Sequence, residues 1–303
     1  LNNLLSLFSD NLLPILLVAG AGYVLQRTLR IDPKPLARVT FYLFTPALAF
    51  STTLSTSITA SDIIHMTCLA GAVITLMSVI SWALSRLLRL PQRIASVFIL
   101  TASFMNAGNY GLPLNDFFFG AEGLAWANVF FITNALLTNS LGVFITSAGR
   151  QSPKHALVGL LRIPAVYAIP LALLVRSAHW QLPVPIERPI SLLGAAMIPS
   201  MLLLLGMQIS HGGLPKRKNL LAVVVALRLL ISPLLAFLIT PLFGLSGLSA
   251  QVGILEAAMP TAVLTTVITT EFDVEPDFAT GAVLLTTLLS PLTVVPLLAM
   301  IRG

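Results

Sequence analysis

The 303-residue chain reads as an all-α membrane protein of ten transmembrane helices, two inverted five-helix repeats in which helices 4 and 9 are broken. Three observations carry that reading. The composition is 56% hydrophobic and only 9% charged, with a mean hydropathy of +0.94. Basic residues gather in alternate loops, and proline-centred interruptions recur at corresponding places in the two halves. Soluble domains carry roughly 25% charged residues, because their surface must be wetted. The 17 basic and 11 acidic residues here could not do that, so a water-soluble enzyme or regulator is excluded.

A hydrocarbon core of about 30 Å takes roughly 20 apolar residues to cross. In the first repeat, residues 1–150, such runs cover 9–28, 35–55, 62–86, 92–116 and 121–147. In the second, 151–303, they cover 157–177, 187–210, 218–242, 248–271 and 277–301. Helix 6 is short and carries Pro164 and Pro170. The first run has Asp10 rather than a basic region before it, so it reads as a membrane helix and not as a cleavable signal. The single cysteine, Cys68, excludes an intramolecular disulfide and a cysteine-based zinc site.

Charge gives the orientation. Loops 1–2, 3–4, 5–6 and 7–8 hold Arg27, Arg30, Lys34 and Arg38, then Arg86, Arg89 and Arg93, then Arg150, Lys154 and Arg162, then Lys216, Arg217 and Lys218. These are 13 of the 17 basic residues. The opposite side has Arg176, Arg188 and Arg302, and Arg228 falls inside helix 8. Basic residues in short loops mark the cytoplasmic face, so both termini are expected outside. Loop 9–10, with Glu271, Asp273, Glu275 and Asp277, is acidic and stands as an exception.

Five helices per half make the second half enter the membrane from the opposite face. Thr45-Pro46 in helix 2 is answered by Ile198-Pro199 in helix 7, and Asn109 to Pro113 in helix 4 by Glu256 to Pro260 in helix 9. Matched interruptions of this kind point to a midplane binding site. The stretch Ser103 to Leu114 holds Asn106, Gly108, Asn109, Tyr110, Gly111 and Pro113. Proline removes a backbone donor, and glycine permits dihedrals that helices avoid. A helix broken there exposes a half-helix N-terminus, which favours an anion. With Pro260 and Thr261 of helix 9, these residues form the candidate substrate site; the structural alternative is a kink whose asparagines only bridge neighbouring helices.

Glu256 is the only acid well inside an expected span. Such a residue faces a cavity or a partner. It reads either as a proton or sodium coupling site, with Asn134 and Thr138 of helix 5 as further candidates, or as the structural partner of Arg228. Asn134 and Thr138 lie one turn apart, as do Thr286 and Ser290 of helix 10. His65, His155, His179 and His211 lie near span ends with no ligand spacing, so no metal site or cofactor is expected. No GxxxxGK[ST], HExxH or GxSxG motif occurs, against an ATP-driven pump, a metalloprotease or a serine hydrolase. An intramembrane enzyme or a channel using the same cavity are the rival classes; no partner acid accompanies Glu256 for catalysis.

Asn106 to Leu114, then Ala257-Ala258-Met259-Pro260, then Glu271-Phe272 with Val274 and Pro276, resemble the auxin efflux carrier family. Tyr42 to Leu48, and Arg228 five before Pro233, also fit. The family includes plant auxin carriers and bacterial carriers of small carboxylates. The resemblance implies a ten-helix fold akin to bile-acid sodium symporters and an elevator-type secondary transporter. Helices 1, 2, 5, 6, 7 and 10 would form the scaffold, and helices 3, 4, 8 and 9 the moving transport domain. Helices 4 and 9 would cross at Pro113 and Pro260, and Asn106 would meet a substrate carboxylate. The implied partners are a small organic anion such as malate, malonate or an auxin-like acid, the bilayer of a bacterial inner membrane, and a second copy in a homodimer, with no nucleic acid. Plant carriers have Asn-Pro-Asn in helix 6 where this chain has Ile163-Pro164-Ala165, a Gln where it has Glu256, and often a long cytoplasmic loop that it lacks. Those departures point away from auxin and toward a bacterial carboxylate carrier.

Overall fold

The computed structural model describes residues 2–147, 164–209 and 217–302. Arg150, Lys154, His155, Arg162, Ile163, His211, Lys216 and the start of helix 6 lie outside the described residues. Among the described residues every regular element is helical, and the single strand-like contact is an isolated bridge between Met105 and Thr261.

The apolar runs become helices at close to their expected bounds. Helix 1 covers 2–29, helix 2 covers 33–55 and helix 3 is Ala60–Leu87. Helix 4 is cut into Gln92–Ser103 (helix 4a) and 107–119 (helix 4b). Helix 5 follows over 121–146, and the described part of helix 6 is Ala165–Ser177. Helix 7 spans Val184–Ile209 and helix 8 Lys218–Phe243. Helix 9 is cut into Gly247–Ala257 (helix 9a) and Leu264–Glu271 (helix 9b). Helix 10 joins Pro276–Leu289 to Pro291–Arg302 with a bend of 47°.

Five helical stretches among the described residues are long and apolar enough to cross a membrane, and the bent helix 10 makes a sixth. The longest, Ala107–Thr146, contains Gly120 at φ 70° and ψ −160° and so is two helices, 4b and 5. Glycine is needed there because that combination of φ and ψ is closed to a side chain. Large apolar side chains such as Leu17, Trp82, Leu192, Leu242 and Leu292 lie on the outside, as lipid-facing positions require.

Several helices carry a wide π turn with a common cause. The turns over 8–12, 40–44, 107–111 and 227–231 each end two residues before a proline, namely Pro14, Pro46, Pro113 and Pro233. Proline has no N–H and crowds the carbonyl four residues earlier, so the preceding turn opens.

Loop contacts sort the two ends of the molecule. At one end Arg93 pairs with Asp273 at 3.7 Å and Arg217 with Glu275 at 3.8 Å, joining loops 3–4, 7–8 and 9–10. The acidic loop 9–10 therefore sits among basic loops and takes up part of their charge. At the other end Arg176 donates to the Thr53, Thr56 and Ile58 carbonyls, tying the end of helix 6 to loop 2–3. Gln251, near the start of helix 9a, donates to the Ile301 carbonyl at the chain end. Arg176 is thus spent on backbone carbonyls and is not a free loop charge.

Helix 1 packs on helix 7, helix 2 on helices 6 and 7, helix 3 on helix 4, and helix 9a on helices 4b and 8. The helix 1–7 contact is a backbone approach made by small residues. A Cβ on Gly206 would run into the Ala19 carbonyl, and one on Gly22 into Leu203. Small residues at such seams let membrane helices gain dispersion contact in the absence of a hydrophobic drive. Gly206→Val should therefore lower unfolding free energy by about 1–3 kcal/mol, the usual range for overpacking. Thermal melting in detergent checks this, with Gly20→Val as the control, since a Cβ at Gly20 meets nothing within 4 Å. Equal melting of the two variants would show that the seam is looser than described.

Candidate functional site

Helices 4 and 9 break where they meet. The Asn106 N–H donates to the Pro260 carbonyl at 2.7 Å, and the Ala262 N–H to the Phe104 carbonyl at 2.9 Å. This short antiparallel bridge pairs backbone groups that the interrupted helices cannot pair internally, as burial demands. Thr261 reinforces it: its Oγ1 donates to the Thr101 carbonyl at 2.9 Å, and its N–H donates to Thr286 Oγ1 at 3.0 Å. The crossing on helix 4 falls at Phe104–Asn106, upstream of the expected Pro113, which instead sits in the first turn that follows the wide turn. There its missing N–H and its ring open the turn over 107–111 inside helix 4b without cutting the helix.

Helices 4a and 9a both end at the crossover, and a helix leaves its last carbonyls unpaired with partial negative charge. Arg228 serves both ends. Its Nη1 donates to the Ala102 and Ser103 carbonyls, each at 3.0 Å, and its Nη2 to the Ala257 carbonyl at 2.7 Å and to Ser232 Oγ. Ser232 Oγ donates to the same Ala257 carbonyl at 2.8 Å. Arg228 is fully buried. The expected pair with Glu256 does not form: among the described residues no ion pair joins them. The Nη1 and Nη2 donors go to carbonyls that only the broken helices make available and to Ser232, while Nε, also buried, has no hydrogen-bond partner.

Glu256, also fully buried, turns toward helix 4b. Its Oε1 accepts from Asn115 Nδ2 at 2.9 Å, and its carboxylate fills the space that a Cβ on Gly111 would need.

A cavity of about 950 Å³ lies on the other side of the crossover, walled by helices 2, 4, 5, 7 and 9b. Small-molecule sites span roughly 300–1,000 Å³, so this one has room for a small solute with water. Asn106, Gly108 and Asn109 line it, with Asn134 and Thr138 of helix 5 and Thr266 and Thr270 of helix 9b. Asn109 Nδ2 donates to Gln208 Oε1 at 3.4 Å. Asn134 Nδ2 donates to the Met105 carbonyl at 2.9 Å, and Thr138 Oγ1 to the Asn134 carbonyl at 2.7 Å. Asn106 is 4% exposed, and its Nδ2 is buried with no hydrogen-bond partner. Lys34, Arg38 and Glu271 stand on the cavity's wall, with both basic residues exposed.

The other sequence candidates lie elsewhere. Tyr110 points away and accepts from Ser290 Oγ at 3.2 Å. Gly111 abuts Glu256, and Pro113, Pro260 and Thr261 form the crossover and its flank without lining the cavity. Glu256 does not share a site with Asn134 and Thr138. Sequence reasoning passed over Gln208 and Asn115, whose only signal was an amide within an apolar run. It read Lys34 and Arg38 as loop charges, not as cavity residues.

Two interrupted helices that cross beside a polar cavity, within a bundle of apolar helices, define a membrane protein built to handle a solute. The chain belongs to the membrane transport protein family, the auxin efflux carrier-like group, whose family model matches residues 7–298. It is 27% identical over 288 residues to an "Uncharacterized transporter" of Methanothermobacter thermautotrophicus, covering 93% of this chain and 94% of that one. An "Uncharacterized transporter" of Methanocaldococcus jannaschii is 23% identical over 269 residues, covering 86% and 87%. A "Putative malonate transporter" of Rhizobium meliloti is 28% identical over 184 residues, 58% of each chain. The family and these names are those of transporters, not enzymes.

The hydrogen bonds of Arg228 make a stability prediction. Arg228→Leu strands the Ala102, Ser103 and Ala257 carbonyls, although Ser232 still reaches the last. A stranded buried acceptor costs about 1–3 kcal/mol, so the loss should be on the order of 3 kcal/mol or more. Melting in detergent should show it as a large drop, and Glu256→Gln should not rescue it. Rescue by Glu256→Gln would mean that the two side chains pair after all.

Proposed function

We propose that the protein is a secondary transporter that carries a small organic anion, a mono- or dicarboxylate of malonate or malate size, by elevator-type alternating access. The observation that carries this reading is Asn106 Nδ2, a buried amide donor with no partner, on the wall of the cavity at the start of helix 4b. A buried donor left unpaired is costly, and a carboxylate oxygen would satisfy it. The N–H groups that open helix 4b have no preceding turn to bond and favour negative charge. Lys34 and Arg38 on the wall attract an anion from solution. A relative's name mentions malonate, which fits the cavity's chemistry.

In this reading ten helices cross the bilayer as inverted halves. The sorting of loops 3–4, 7–8 and 9–10 to one end and of loop 2–3 and the chain end to the other supports it. The basic end is cytoplasmic, the termini lie outside, and the cavity with Lys34 and Arg38 is open to the cytoplasm. Helices 3, 4, 8 and 9 move as one body, since the crossover bridge and Arg228 bind helices 4, 8 and 9 together.

Counterflow in proteoliposomes against malate, malonate and indole acetate tests the function. At least one should exchange without any chemical product; product formation would favour an intramembrane enzyme instead. Asn106→Ala should weaken binding of that anion by about 1.5–3 kcal/mol, one to two decades, with little change in melting. Unaltered affinity in a folded mutant would return the helix 4 break to a structural kink. For orientation, single cysteines in a Cys68-free background at positions 89 and 218 should label from the cytoplasm, and one at position 119 from outside. The reverse pattern would invert the cavity's assignment.

A further inference from the structure

On the far side of the crossover from the cavity, two buried oxygens face the same problem. Asn115 Oδ1 and Glu256 Oε2 are both acceptors, both fully enclosed, and neither has a hydrogen-bond partner. Their companions on the same two side chains are joined: Asn115 Nδ2 donates to Glu256 Oε1 at 2.9 Å and to the Gly111 carbonyl at 2.9 Å. A carboxamide and a carboxylate in this relation lack one donor. A single proton on Oε2 supplies it. The group is then a neutral carboxylic acid beside a carboxamide: Nδ2–H donates to Oε1, and an Oε2–H turned to Oδ1 would satisfy both orphans at once. We propose that Glu256 and Asn115 form a proton site, an acid–amide pair that couples the carrier's cycle to a proton rather than to a metal cation.

The surroundings favour a proton over a cation. Hard cations gather several oxygens, and these two side chains offer two unpartnered ones. The carboxylate already occupies the space beside Gly111, whose missing Cβ lets helix 4b press directly on it. Among the described residues no basic group forms an ion pair with Glu256. The ionisable groups on the elements packed around helix 9a are Lys218 and Arg228 of helix 8, Tyr110, Asp116 and Glu122 flanking the helix 4b–5 corner, Asp62, His65, Cys68 and Arg86 of helix 3, and Arg302 at the end of helix 10. Arg228 is turned to backbone carbonyls and Tyr110 to Ser290, Asp62 caps Thr59, and Cys68 is exposed. Among the described residues none of these forms an ion pair with Glu256. A carboxylate enclosed without a cation is far costlier than the neutral acid. The acid form, which the pairing with Asn115 completes, is therefore the one this conformation holds. Release of the proton would require the pair to open, which ties protonation to the movement of helices 4b and 9a. The coupling role rests on the transporter reading; the proton site does not.

Infrared spectroscopy of the purified full-length protein in detergent, in sodium-free buffer at neutral pH, tests the site directly. The wild type should show a protonated-carboxyl C=O band that Glu256→Gln deletes. Gln at this position can keep both hydrogen bonds to Asn115, so the variant should fold. Should it fail to fold, Asn115→Leu keeps Glu256 and should move the band to higher frequency, because the acid loses its amide partner. The proposal is overturned if neither variant changes the protonated-carboxyl region. It is also overturned if Glu256→Gln removes an ionised-carboxylate band, or if added sodium raises the wild-type melting temperature but not that of Glu256→Gln. Malonate counterflow on the same preparations separates the two readings. Counterflow without the band leaves the transporter and removes the proton site, whereas the band without counterflow of any tested anion leaves the proton site and removes the proposed substrate class.

Discussion

Everything at the centre of this molecule depends on finding partners for backbone groups where two helices stop inside a membrane. Breaking a helix in mid-span frees carbonyls at one cut end and N–H groups at the other, in surroundings that offer little water. The protein settles the carbonyl ends with Arg228, which reaches Ala102 and Ser103 on one helix and Ala257 on the other. It settles the gap itself with the bridge between Phe104–Asn106 and Pro260–Ala262. The N–H end of helix 4b is the remaining debt. The cavity beside it, with the free Nδ2 of Asn106, is where a solute could discharge that debt. A positive side chain holds the negative helix ends, and the positive start of helix 4b is the end that the proposed anion would meet.

The same constraint divides the crossover into two chemically distinct sides. Toward the basic loops lie the cavity and its amides. Toward the opposite end lie helices 9a and 4b, pressed together through Gly111 and sealed around Glu256 and Asn115. Because Arg228 and the bridge bind the two sides into one piece, a displacement that reopens one side must carry the other with it. Under the proposed function, substrate and proton sites in one body would be linked without a long pathway between them.

Much of the helical layout was legible in the sequence. Helix 3, expected over 62–86, is Ala60–Leu87, because charged residues and a Thr59–Asp62 capping box bound a uniformly apolar run. The breaks in helices 4 and 9 were legible from their Asn, Gly and Pro content, but the exact crossing was not. Pro113 marked the region, yet it only widens a turn inside helix 4b, and the cut lies before it at Phe104–Asn106. Arg228 was visible as a buried charge, with Glu256 as one candidate partner. Its true partners are carbonyls, which carry no signature in sequence and become available only once tertiary structure has cut the helices. Asn115 went unread for a related reason: a lone amide in an apolar run gains meaning only when Glu256, far away in the chain, is brought against it.

The central claim is that the crossover is an anion site completed by Asn106 and the start of helix 4b. An experimental structure of the protein with saturating malonate, or with whichever carboxylate exchanges, tests it most directly. The account predicts a carboxylate oxygen within hydrogen-bond distance of Asn106 Nδ2, inside the cavity lined by Gly108 and Asn109. An anion bound elsewhere, with Asn106 Nδ2 instead bonded to the protein, would contradict it.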